Sequence, residues 1–166
     1  MKKSNKRNVF AFTLIELLVV ISIIGVLATL LLANFNSTRA RARDAQRKSD
    51  LKNIQTALRL YYNDCGKYPS SSSSYEINGC GSCSSESTCL WGGTFTSGDA
   101  STVYMSELPN DPIANSDADR VYRYTRTDND TYQLQACFEN SSDDKCDPSG
   151  NTCWDGTNDC QYTLSP

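Results

Sequence analysis

The chain has 166 residues, a formal net charge of -3 and no histidine. The length suits one domain of modest core. Absence of histidine removes the commonest general base and neutral metal ligand, which lowers the prior for an enzyme. The net charge hides an ordered asymmetry. The first eleven residues carry Lys2, Lys3, Lys6 and Arg7 and no acid; Arg39–Arg59 hold seven bases and two acids; Leu60 onward holds five bases and sixteen acids. This is a basic tip, an apolar rod, a basic collar and an acidic head, and an acidic head repels nucleic acid.

Residues 12–32 read FTLIELLVVISIIGVLATLLL, interrupted only by Thr13, Glu16, Ser22, Gly25 and Thr29. As a helix this run spans about 30 Å, the thickness of a hydrocarbon core. A cleaved secretory signal fits poorly, because no small-x-small site with a helix-breaker follows and the chain runs on into Asn34, Phe35 and a helix-forming stretch. A plain membrane anchor has no use for Glu16, since a carboxylate at that depth costs about 2.5 kcal/mol or more and is usually functional. A subunit that must find a neighbour inside the membrane does have a use for it. The matching cation is a free α-amino group on another copy, made by proteolysis just upstream of the apolar run.

Residues 34–63 contain no Pro or Gly. Leu51, Ile54, Leu58 and Tyr61 recur at helical spacing, so one helix is expected from Phe12 to Asn63, about 75 Å long. Cys65-Gly66-Lys67-Tyr68-Pro69 ends it. Ser70–Ser74 reads as a loop, and residues 75–100 as an irregular, disulfide-pinned segment with one short strand within Ser87–Thr96. Val121–Thr125 and Thr131–Phe138 read as a hairpin around Asp128-Asn129-Asp130, with Tyr132, Leu134, Ala136 and Phe138 on its apolar face. Residues 139–166 read as a loop-rich tail. The fold class is α+β: a long N-terminal helix, a small antiparallel sheet and disulfide-tied loops.

Eight cysteines, Cys65, Cys80, Cys83, Cys89, Cys137, Cys146, Cys153 and Cys160, all follow the apolar run. Their even number in a head poor in Leu, Ile and Val points to an oxidising compartment and structural bridges, although 105 pairings are open. Cys80-x-x-Cys83 is also a zinc half-site or redox pair on paper. The second CxxC that a zinc ribbon needs is missing, and disulfides are favoured. Asp143, Asp144, Asp147, Asp155 and Asp159 form an acidic cluster with no recognisable motif. The collar is read as a solvated helix face in preference to a nucleic-acid or lipid site, and most of the aromatics as packing.

Ala11-Phe12-Thr13-Leu14-Ile15-Glu16-Leu17-Leu18-Val19-Val20-Ile21 resembles the prepilin signature of type IV pilins and type II secretion pseudopilins. The resemblance is specific over Phe12–Ala28 and looser to about Tyr62. It implies three parts: a cytoplasmic basic leader at residues 1–11, a helix at 12–63 whose 12–32 portion spans the membrane and then forms the fibre core, and an extracytoplasmic head at 64–166. It implies cleavage between Ala11 and Phe12 by a prepilin peptidase, N-methylation of Phe12, and pairing of Glu16 with the Phe12 amine of the adjacent subunit. It further implies self-polymerisation, an inner-membrane assembly platform and an ATPase, and a final place in an extracellular or periplasmic filament. Ala11 stands where the family usually has Gly, and Ala33 where many pilins have Pro. Leu108-Pro109-Asn110-Asp111-Pro112 followed by a hairpin resembles short pilins and major pseudopilins. Asp111, Asp117 and Asp119 surround the loop before the hairpin and read first as solvated turn acids; the likeness implies a structural calcium ion held by Asp117 and Asp119, with Asp111 as a further oxygen ligand of the same loop and no cofactor required. The alternatives are a competence-type pseudopilin touching DNA and an uncleaved, membrane-anchored binding domain.

Overall fold

The computed structural model describes residues 12–98, 101–114, 121–145, 153 and 160–166, with the backbone alone at 30–34. Two compact units divide the chain, Met1–Thr38 and Arg39–Pro166. One helix, α1 (Leu14–Cys65), contributes to both.

Both ends of α1 have a local cause. Thr13 and Glu16 form a reciprocal capping box: the Thr13 N–H and hydroxyl donate to Glu16 Oε2 at 2.8 and 2.7 Å, and the Glu16 N–H donates to Thr13 Oγ1 at 3.3 Å. The helix therefore starts after Thr13 and not at Phe12. At the other end Gly66 adopts φ 67° and its N–H donates to the Tyr62 carbonyl at 2.8 Å. A left-handed glycine is the usual helix stop, so α1 continues to Cys65 instead of ending at Asn63.

In the first unit the apolar side chains of α1 are exposed on every side, from Leu14 and Ile15 to Val26 and Leu27. The hydroxyls turn back onto the helix: Ser22 donates to the carbonyls of Leu18 and Val19, and Thr29 to that of Val26. They thus need no outside partner, as an apolar surrounding requires. Among the described residues no helix is long and apolar enough to cross a membrane. The expected span, residues 12–32, extends into the side chains at 30–34 that lie outside the description.

In the second unit Leu51, Ile54, Leu58 and Tyr61 are all fully buried, as their spacing predicts. Among the described residues seven short strands pack around them. β1 (Ser70–Ser71) pairs with β2 (Ile77–Asn78), and β3 (Phe95–Thr96) with β4 (Val103–Met105). β5 (Arg123–Arg126), β6 (Tyr132–Phe138) and β7 (Cys160–Leu164) form an antiparallel sheet in that order. Tyr132, Leu134, Ala136 and Phe138 are buried on the helix stripe's cluster, so the hairpin and its apolar face stand as expected. The tail differs from expectation. Cys160–Leu164 is a strand, paired from Phe138↔Cys160 to Leu134↔Leu164, because Cys160 and Tyr162 add to the core while Thr163 faces solvent. The Ser-rich segment likewise contains β1, and the turn from it to its partner β2 includes Tyr75 at φ 61°.

Candidate functional site

The carboxylate of Glu16 sits in the first turn of α1, beside exposed Phe12. It is the sole acid among residues 12–43. Its oxygen is held by Thr13, so the group is oriented toward the residue that the prepilin resemblance makes the new N-terminus. Phe12, Ile15, Val19 and Val20 line the apolar surface next to it. Ala11 lies outside the described residues.

The second notable feature is a buried charge network in the N-terminal half of the collar. Arg47 is fully buried. Its Nε and Nη2 donate to the two oxygens of Asp111 at 2.7 and 2.9 Å, and its Nη1 donates to Asp44 at 2.7 Å and Glu139 at 2.8 Å. Arg43 makes a second bidentate pair with Glu139. Asp44 in turn accepts the backbone N–H groups of Glu139 and Asn140, which fastens the helix to the end of β6. Burial works against the Arg47 charge, but the hydrogen bonds and charge of Asp111, with Glu139 and Asp44, outweigh it and raise its pKa. Burial also opposes the Glu139 charge, and the Arg43 and Arg47 guanidiniums override it and hold the carboxyl below its ordinary value.

This arrangement changes the reading of several residues. Arg43, Arg47 and Lys48 of the collar are bound to acids of their own head, Lys48 through both oxygens of Asp143 at 2.7 Å. They are not a solvated basic face. Asp111 is a solvated turn acid or a calcium candidate by sequence, but both its oxygens accept from Arg47, and Oδ1 also accepts the Ile113 N–H. A carboxylate neutralised in this way does not fit a calcium shell. Asp117 and Asp119 lie outside the described residues. Among the described residues no group of His, Cys, Asp and Glu is placed to hold a metal ion.

The cysteines pair as Cys65–Cys83, Cys80–Cys89 and Cys137–Cys153. Cys160 is also disulfide-bonded, and Cys146 lies outside the described residues. Cys80 and Cys83 thus enter different bridges, so the CxxC spacing is neither a zinc half-site nor a redox pair. Cys65–Cys83 ties the C-terminal end of α1 to the loop that follows β2. Of the aromatics set aside as packing, Tyr68, Tyr104, Tyr122, Tyr124, Tyr132 and Tyr162 are buried, and Trp154 lies outside the described residues.

Residues 6–32 match the family model described as the prokaryotic N-terminal methylation motif. The type IV major pilin protein PilA of Myxococcus xanthus is 39% identical over 64 residues, which are 39% of this chain and 29% of that protein. The type II secretion system core protein G of Pectobacterium carotovorum is 41% identical over 59 residues, 36% of this chain and 38% of that protein. Its counterpart in Escherichia coli is 36% identical over 76 residues, 46% of this chain and 51% of that protein. The chain thus spans between 29% and 51% of the length of these curated relatives. No solved structure matches it. The resemblance to prepilins holds: the chain carries their methylation motif and is similar to pilins and pseudopilins over a minor share of its length.

Proposed function

We propose that the chain is a structural subunit of a type IV pilus or a type II secretion pseudopilus, polymerising through α1. The observation that carries this reading is the conjunction of the methylation motif at residues 6–32 with a helix that exposes apolar side chains all round and bears one carboxylate in its first turn. Such a surface is stable only in lipid or against copies of itself.

Maturation removes residues 1–11 between Ala11 and Phe12 and methylates the new Phe12 amine. The precursor is held in the cytoplasmic membrane by residues 12–32 with its disulfide-bonded head outside. Assembly then buries these helices against one another. Thr13 keeps the Glu16 carboxylate at the helix start, one turn from the ammonium created by cleavage. In the fibre the carboxylate turns to the Phe12 ammonium of the adjacent subunit. A charge pair at a fixed height on an otherwise featureless apolar rod selects the axial register, because any other stagger leaves a carboxylate unpaired in an apolar bundle. A prepilin peptidase, a membrane platform and an ATPase are the partners this route requires.

The residues of the head support a structural role over a catalytic one. Among the described residues the buried charged side chains Arg47, Asp44 and Asp111 pair with one another and with Glu139, which ties the head to the helix. The test is Glu16→Ala in cells that supply a prepilin peptidase and an assembly machine. The protein should still be found in the membrane fraction, and sheared filaments should fall at least about tenfold, as the loss of a buried pair partner implies. Filaments at wild-type yield would remove the register role of Glu16.

A further inference from the structure

Arg41, Lys52 and Arg59 of the helical collar stay outside the buried network. They are exposed, and among the described residues none of them makes an ion pair. At 3.6 residues per turn Lys52 falls about 20° from Arg41 around the helix, and Arg59 returns to the same line. The three therefore form one cationic stripe about 27 Å long on the flank of α1. Lys48 lies about 20° to the other side of that line. It shows what the line takes: its ammonium is held by the Asp143 carboxylate.

The head carries a matching feature. Asp128 and Asp130 are exposed side by side at the tip of the β5–β6 hairpin. The tip is ordered by its own hydrogen bonds. The Asp130 N–H donates to Asp128 Oδ1 at 2.8 Å, the Thr127 N–H donates to the Thr131 carbonyl at 3.0 Å, and the Tyr62 hydroxyl donates to Asp130 Oδ1 at 2.7 Å. The Tyr62 bond puts the acidic tip at the C-terminal end of α1 in its own copy, just past Arg59. A parallel copy displaced along the helix axis by up to the stripe's length carries its Arg41–Arg59 line past that tip.

From this complementarity we infer that the stripe Arg41, Lys52, Arg59 of one copy docks on the Asp128–Asp130 hairpin tip of a second copy. The inference rests on the assembly reading, which makes neighbouring copies parallel and axially staggered. It adds a head-level contact to the membrane-level one at Glu16. Opposed charges at an interface set register and partner choice more than affinity, and like charges there are strongly disfavoured.

The test uses the full chain in cells that process and assemble it. Two charge reversals are compared with their combination: R41E/K52E/R59E, D128K/D130K, and all five together. Each reversal alone should lower sheared filament yield by about tenfold or more, and the combined set should recover most of it. Melting of the detergent-extracted R41E/K52E/R59E subunit should be unchanged, since Arg41, Lys52 and Arg59 are exposed; D128K/D130K also loses hydrogen bonds that order the tip, and recovery of yield in the combined set separates that loss from docking. Wild-type yield from either reversal, or a combined set no better than its parts, overturns the inference while leaving the Glu16 contact standing. Absence of filaments from the unaltered chain overturns the assembly reading and this contact with it. Retardation of duplex DNA by the detergent-solubilised chain, lost in R41E/K52E/R59E while filaments form normally, assigns the stripe to nucleic acid and also overturns it.

Discussion

Arg47 and Asp111 stand 64 residues apart in sequence and meet through two hydrogen bonds of 2.7 and 2.9 Å, both side chains buried. The pair pins the loop at Leu108–Pro112 to the helix at the point where the apolar stripe begins. Removing one partner leaves the other charged and buried, which costs about 3–5 kcal/mol. Arg47→Ala should therefore lower the unfolding free energy of the membrane-extracted chain by about that much in a denaturant titration. Arg47→Ala combined with Asp111→Ala should cost less than the two single losses added together. Additive losses would show that the two side chains do not interact.

Acid should release the same network. The Lys48 hydrogen bond holds the Asp143 carboxyl below its ordinary value of 3.8, and Arg43 and Arg47 hold Glu139 below 4.5 against the effect of burial. A carboxyl whose pKa is depressed by folding adds stability above its unfolded pKa and loses it as pH falls through the folded one. Stability should be level from pH 7 to about 5 and drop steeply below about 4. Asp50, raised by burial against its bond from Tyr122, acts in the opposite sense and offsets part of the loss. Unfolding midpoints that stay level down to pH 3 would contradict the network's share in stability.

The bridges lead to a prediction about mapping and one about removal. Digestion without reductant should return Cys65–Cys83, Cys80–Cys89 and Cys137–Cys153 as linked peptides. Replacing Cys137 and Cys153 by Ser should lower stability by about 2–4 kcal/mol. Recovery of a Cys80–Cys83 peptide would contradict the connectivity.

Gly66 ends α1 with a positive φ and has open space where a side chain would go. Gly66→Ala should therefore cost about 1 kcal/mol through backbone strain alone, with no change in packing. A neutral effect in thermal melting would mean that the helix stop lies elsewhere.

The helix stripe and the hairpin were legible because their periods, 3.6 and 2, are written in consecutive residues. Arg47 was legible only in part. It continues the line of Leu51, Ile54, Leu58 and Tyr61 one turn toward the N-terminus, so a core position was indicated, but its partners Asp111 and Glu139 lie 64 and 92 residues away. The letters alone therefore present the collar as a solvated face and Asp111 as a solvated turn acid. β7 was missed for a related reason. Its Cys160, Tyr162 and Leu164 alternate correctly, but the short run is embedded among Asp, Gly and Asn, and pairing with β6 decides it. The capping box is present in the letters Thr13-x-x-Glu16, and a carboxylate in an apolar run fits this local partner as well as a distant one.

The central claim, that the chain is a prepilin whose mature form begins at Phe12, is tested most directly by the intact mass of the protein extracted from membranes of cells that contain a prepilin peptidase. The account predicts a single species that starts at Phe12, carries one added methyl group and has its cysteines oxidised. A species that retains Met1 to Ala11 in the presence of an active peptidase would contradict it, and would leave an anchored extracytoplasmic domain in place of a filament subunit.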